Sequence, residues 1–139
     1  MVEQFLNKWK ADITSYRNFD EVMDAMQLDP MARKVFKERA GTLEYQLDGD
    51  TWTALAGVEG LGVRKYVYKL GEEIEGIGLD GVPLKTKSRL EGDALIENST
   101  SQKYGIPNTI TRRVKGDILE CTLLVDEKGV QMTYNMTKM

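Results

Sequence analysis

One arginine set among apolar residues is the side chain best placed for chemistry in this sequence. Arg112 alternates with Ile110 and Val114, so ordinary strand periodicity aims all three at the same face. A guanidinium on an apolar face can receive a polar or anionic group through charge-assisted hydrogen bonds. A bulge or register shift would instead turn Arg112 to water and bring in Arg113 or neither, and periodicity leaves both arrangements open. The same inward set carries Thr86, Ser88, Ser99, Cys121 and Tyr134. Each unpaired polar group in a dry core costs about 1–3 kcal/mol. These residues must therefore pair with one another, or the interior must hold water and a ligand.

Much other chemistry is excluded by absence. The 139 residues include no His and a single Cys, Cys121. An intramolecular disulfide, a Cys-cluster zinc site, a His-based zinc hydrolase and a Ser–His or Cys–His nucleophile are all ruled out. The 19 Lys and Arg face 22 Asp and Glu, a net charge of −3, which gives no overall attraction to nucleic acid. The start, MVEQFLNKWK, mixes charges and lacks the apolar run of a signal peptide. No apolar run approaches the ~20 residues of a membrane-spanning helix. The expectation is one domain over residues 1–139, cytoplasmic and monomeric, with the nucleus as a second compartment, and without metal or cofactor.

The elements that must hold Arg112 are legible in the spacing. From residue 42 onward, short runs alternate: Leu43, Tyr45 and Leu47; Tyr66, Tyr68 and Leu70; Leu84, Thr86, Ser88 and Leu90. Ile110, Arg112 and Val114 follow, then Leu119, Cys121, Leu123 and Val125, and last Val130, Met132, Tyr134 and Met136. Period two with one polar face predicts antiparallel sheet. Asp48-Gly49-Asp50, Asp80-Gly81, Glu91-Gly92-Asp93, Lys115-Gly116-Asp117 and Lys128-Gly129 punctuate the runs as turns. An up-and-down meander of such strands loses its exposed edges by closing into a barrel, and a small barrel has room for one small ligand. Two helices interrupt the pattern near the N-terminus, over Phe19–Gln27 and Pro30–Arg39. Asn18 with Glu21 predicts a capping box for the first, and Asp29 with Pro30 predicts a capped start for the second.

Taken in order, these segments resemble the intracellular lipid-binding proteins, the family of fatty-acid-binding and cellular retinoid-binding proteins. Phe5-Leu6-Asn7-Lys8-Trp9-Lys10 is similar to the family's N-terminal F-x-G-x-W strand, with Asn7 where Gly is usual. Asn18-Phe19-Asp20-Glu21-Val22-Met23 and Ala32-Arg33-Lys34-Val35 resemble its two helices. Lys69-Leu70-Gly71-Glu72-Glu73-Ile74 resembles the strand pair at its known gap, and Lys85-Thr86-Lys87-Ser88 and Glu120-Cys121 also fit. The resemblance implies a mainly β fold. This is a ten-stranded antiparallel up-and-down β-barrel, or β-clam, with a helix-turn-helix lid over an internal ligand cavity.

It also implies a non-enzymatic carrier of a long-chain fatty acid or related amphipathic lipid, with the head group near Arg112. Phe19, Met23 and Leu28 match cavity or portal positions on the helices, and Cys121 matches an inward residue. Tyr68, Ser99, Met132, Tyr134 and Met136 complete the expected ligand-binding set. The final strand departs from the family, because Tyr134-Asn135-Met136 stands where many members have Arg-x-Tyr. A neutral ligand such as a retinoid, an acyl amide or a sterol-like molecule is therefore the alternative. Glu97 shares the parity that the family makes inward-facing, and an internal Glu97–Arg112 ion pair would favour the neutral ligand. Periodicity equally allows Ile96 to face in and Glu97 to face water.

Other residues carry plainer readings. Trp52 and Trp9 are expected to pack, Trp9 at the barrel base. The methionines suit an adaptable cavity or simply fill gaps. Arg33, Lys34 and Lys37 make the second helix basic, either as a solvated face or as a transient contact with a membrane or a nuclear receptor. A lipid-modifying enzyme and a lipid-dependent signalling module are the remaining classes: the inward polar set permits the first but offers no acid–base pair, and the second would dock through the basic second helix.

Overall fold

The computed structural model describes residues 2–139. A 3-10 turn at Glu3–Phe5 leads into β1 (Lys8–Ala11), and a second, Ile13–Ser15, leads to α1 (Phe19–Ala25) and α2 (Pro30–Glu38). Nine strands follow: β2 (Gly41–Asp48), β3 (Thr51–Val58), β4 (Val63–Lys69), β5 (Glu73–Ile77) and β6 (Pro83–Glu91), then β7 (Ala94–Ser101), β8 (Pro107–Lys115), β9 (Ile118–Val125) and β10 (Val130–Lys138). All pairings are antiparallel, and β1 lies between β2 and β10, which bends the meander back on itself. The ring stays open at one seam, because β4 and β5 are the two ends of the strand order. Tyr66 bridges that seam: its hydroxyl donates to the Ile77 carbonyl at 2.5 Å, and its ring lies over Gly76, where a Cβ would come within 3.1 Å of it.

The predicted alternation holds. Within the inward sets, Tyr45, Tyr68, Ser88, Arg112, Cys121 and Met136 are all buried. The five predicted turn glycines adopt positive φ, for example 62° at Gly49 and 64° at Gly116, which Gly enters without a Cβ penalty. Apolar burial falls into two clusters. Trp9, Phe5, Leu43 and Leu119 pack at the end of the barrel away from the helices, together with Trp52, which stacks on Tyr68 and meets Tyr45 edge-on. At the other end, Phe19, Val22, Met23 and Leu28 pack with Val125 and Met132, so the helix pair covers that end of the barrel.

The helix starts differ from each other. Asp29 accepts from the Met31 amide at 3.0 Å with Pro30 at the first helical position, as expected. The capping box at Asn18 does not form. Asn18 sits in the left-handed region (φ 63°), its side chain makes no cap bond, and its amide donates to the Gln131 carbonyl at 3.3 Å. Tying the chain to β10 thus replaces the local cap. α1 also ends before Gln27, which is itself left-handed at φ 57° and turns the chain into α2. Among the described residues, no helix is long and apolar enough to cross a membrane.

Candidate functional site

Beneath the helices lies a cavity of about 300 Å³. Phe19, Met23 and Leu28 line it from the helix side, Met132, Tyr134 and Met136 from β10, Ser99 from β7 and Arg112 from β8. Its mouth is marked by Phe36 of α2, Gly57 at the end of β3, and Leu79 and Asp80 in the turn after β5, which line both the cavity and a surface cleft. Two residues of the expected ligand-binding set stand outside the lining. Cys121 lies behind Arg112, and Tyr68 is packed against Trp52 in the lower core.

Arg112 points inward and is 8% exposed. It is directly opposite Cys121 on β9, which in turn is opposite Tyr134 on β10, so the register delivers the three side chains to one spot. Its Nε donates to Glu97 Oε1 at 2.8 Å. Its Nη1 faces Cys121 Sγ at 3.1 Å, Tyr134 Oη at 3.4 Å and Met136 Sδ at 3.9 Å. The other Glu97 oxygen accepts from the Tyr45 hydroxyl at 2.8 Å. Glu97 therefore faces the interior, and its carboxylate is held from both sides. Arg112 Nη2 has no hydrogen-bond partner among the described residues, which leaves its two protons for a ligand.

Burial works against the charge on Arg112, yet the hydrogen-bonded Tyr45–Glu97 pair beside it outweighs this and holds its pKa above the usual value. It is a permanent cation. Burial pushes the Tyr45, Tyr68 and Tyr134 hydroxyls up, and Tyr134 is raised further by Cys121. Burial likewise raises the Cys121 thiol, only partly offset by Arg112. Cys121 is therefore a neutral thiol at neutral pH and a poor nucleophile.

A pH dependence follows from these four groups. Their folded pKa values exceed the unfolded ones of about 8.5 for Cys and about 10 for Tyr. Above those values the unfolded chain releases protons that the folded one retains, so stability must fall as pH rises. The melting temperature should hold from pH 7 to about 8.5, decline above it and fall more steeply past about pH 10. A flat profile to pH 11 by differential scanning calorimetry would contradict this assignment of buried, protonated groups.

The basic residues of α2 are largely engaged within the lid. Arg33 pairs with Asp24 of α1 and donates to the Leu28 and Met23 carbonyls. Lys37 reaches Asp20 at 2.7 Å and lies over the Phe19 ring. Both tie α2 to α1.

Several cavity residues escaped the sequence reading, Tyr16, Phe36 and Asn108 among them. Asn108 lies on the inward face of β8 with Ile110 and Arg112, and it lines the cavity while 7% exposed. The signal was the parity itself, extended one step toward Pro107. Tyr45 had been placed inward, but its contact with Glu97 joins strands far apart in sequence and had no signal in the spacing.

No family model matches the chain. Individual proteins do. The fatty acid-binding protein of Lepidoglyphus destructor is 31% identical over 112 residues, covering 78% of this chain and 81% of that protein. The fatty acid-binding protein of Schistosoma japonicum is 29% identical over 135 residues, covering 96% and 98%. Among solved structures, the Schistosoma mansoni fatty acid binding protein in complex with arachidonic acid superposes with a TM-score of 0.86 at 24% identity, covering 99% of this chain and 98% of that one. A lidded barrel with a seam, a charged cavity floor and sequence likeness along most of its length has one consistent reading, and the chain belongs to the intracellular lipid-binding family that includes the fatty-acid-binding proteins.

Proposed function

We propose that this protein binds a long-chain fatty acid or related amphipathic lipid non-covalently in the barrel cavity and carries it through the cytoplasm as a monomer. The observation that carries this reading is an apolar cavity under a helix lid with a permanent cation, Arg112, in its wall. Burying the acyl chain supplies most of the affinity, at roughly 25 cal/mol per Å² before ordering costs. Arg112 Nη2 and the Tyr134 hydroxyl orient the head group. The complex of the Schistosoma mansoni protein with arachidonic acid supports the ligand class. Carriage without catalysis fits a site whose Arg112, Tyr134 and Cys121 each keep one protonation state near neutral pH.

A second reading has its own observation. Glu97 already offsets the Arg112 charge at 2.8 Å, and the last strand supplies no further arginine. A neutral head with a carbonyl or hydroxyl, such as an acyl amide, meets Nη2 without adding a third charge. Contact of α2 with an anionic membrane or a receptor is less supported, because Arg33 and Lys37 are held by α1. Native mass spectrometry of the purified protein should show a one-to-one lipid adduct, and extraction should identify it. Competition between a fatty acid and its primary amide then separates the two readings. A protein that takes up neither does not carry an acyl lipid, and both readings fail.

A further inference from the structure

Asn108 gives the cavity a second polar station, away from Arg112. The residue is 7% exposed and lines the cavity, and its side chain has no hydrogen-bond partner among the described residues. It stands directly opposite Ser99 on β7, which stands opposite Thr86 on β6. Ser99 Oγ and Thr86 Oγ1 lie 2.9 Å apart. One hydroxyl proton satisfies that contact and the other remains free. Three adjacent strands therefore place an amide and a hydroxyl pair side by side on one wall. The next position across, Val125 on β9, is packed into the apolar cluster beneath the helices. The station is thus at the lid end, four residues and about 13 Å along β8 from Arg112.

The amide opens onto the cavity with its donors and its acceptor unmatched by protein, so both are free to bond a guest there. We propose that Asn108, assisted by Ser99, recognises a hydroxyl group part-way along the ligand's acyl chain, so that the preferred ligand is a hydroxylated long-chain lipid. The assignment rests on the lipid-carrier reading and adds the substituent it selects. A hydroxyl fits better than a keto or ester oxygen. It donates to Asn108 Oδ1 and accepts from Nδ2 or from the spare hydroxyl proton, whereas a carbonyl only accepts. With a head group at Arg112, the separation of the two stations puts the hydroxyl in the middle of the chain rather than beside the head. The inference does not depend on head-group charge, because it compares ligands with the same head.

The test uses isothermal titration calorimetry with an unsubstituted saturated long-chain fatty acid and a series of its mono-hydroxy isomers, repeated with the primary amides. One mid-chain isomer should bind about fivefold to tenfold tighter than the parent, the worth of one net neutral hydrogen bond. Isomers hydroxylated beside the head or at the tail should bind more weakly than the parent. Asn108→Leu should reverse the preference while binding the parent at least as well, and Ser99→Ala should reduce it. Equal or weaker binding by every isomer would mean that the station merely holds water, and would overturn the inference. So would a preference that survives Asn108→Leu in a variant whose melting curve shows it folded. If neither parent nor isomers bind as acids or amides, the carrier reading fails and takes this one with it.

Discussion

Arg112→Ala should cost about 3–5 kcal/mol of stability, because it leaves the Glu97 carboxylate buried without its cation. The pair is closely made, at 2.8 Å, and both side chains are largely shielded from water. Among the described residues Tyr45 would remain as the only side-chain donor to Glu97, and a neutral hydroxyl cannot replace a charge. The double variant Glu97→Gln with Arg112→Leu should recover most of the loss. It removes both charges together, and the glutamine carbonyl still accepts from Tyr45. Urea denaturation followed by circular dichroism measures the cycle. Single and double variants of equal stability would show that the pair is not a buried ionic unit. The double variant also isolates the binding role: if the head group docks at Arg112, it should lose about tenfold in affinity for a fatty acid while remaining folded.

The second large effect is expected far from any ligand. Trp9→Ala should cost about 3–5 kcal/mol, the range for deleting a fully buried aromatic side chain. Trp9 is 0% exposed and packs with Phe5, Leu43 and Leu119. Its indole N–H also donates to the Phe5 carbonyl at 3.2 Å, so truncation opens a void and removes one hydrogen bond, leaving that carbonyl with the Asn7 amide at 2.8 Å. Since Trp9 does not line the cavity, affinity measured on the folded fraction should change little. A loss below about 1 kcal/mol would mean that the barrel base collapses to fill the gap.

How far the sequence could be read depended on the range of the interaction. Period-two alternation is local, so the inward placement of Arg112, Cys121, Tyr134 and Met136 was legible strand by strand, as were the glycine turns. Glu97 was not settled by periodicity, because Leu95 and Ile96 are both apolar and both buried, and only the contacts with Arg112 and Tyr45 fix its direction. Asn18 misled for the opposite reason. A sound local capping signal lost to a tertiary bond with Gln131 on β10. The exclusion of Tyr68 from the cavity had no local signal either. It shares parity with lining residues, but Trp52 stacks across it. Asn108 was readable in position but not in consequence, since being unpartnered is a property of the assembled wall.

The Tyr66 contact sets how this vessel responds to what it holds. Every other neighbouring pair of strands is joined by a ladder, so widening the barrel elsewhere would break several bonds at once. At the seam, among the described residues, a single side-chain bond to Ile77 resists, worth about 0.5–1.5 kcal/mol. The seam is therefore an expansion joint. A bulkier guest can be housed by parting β4 from β5 at the expense of one hydrogen bond, so capacity is elastic along one line and stiff everywhere else.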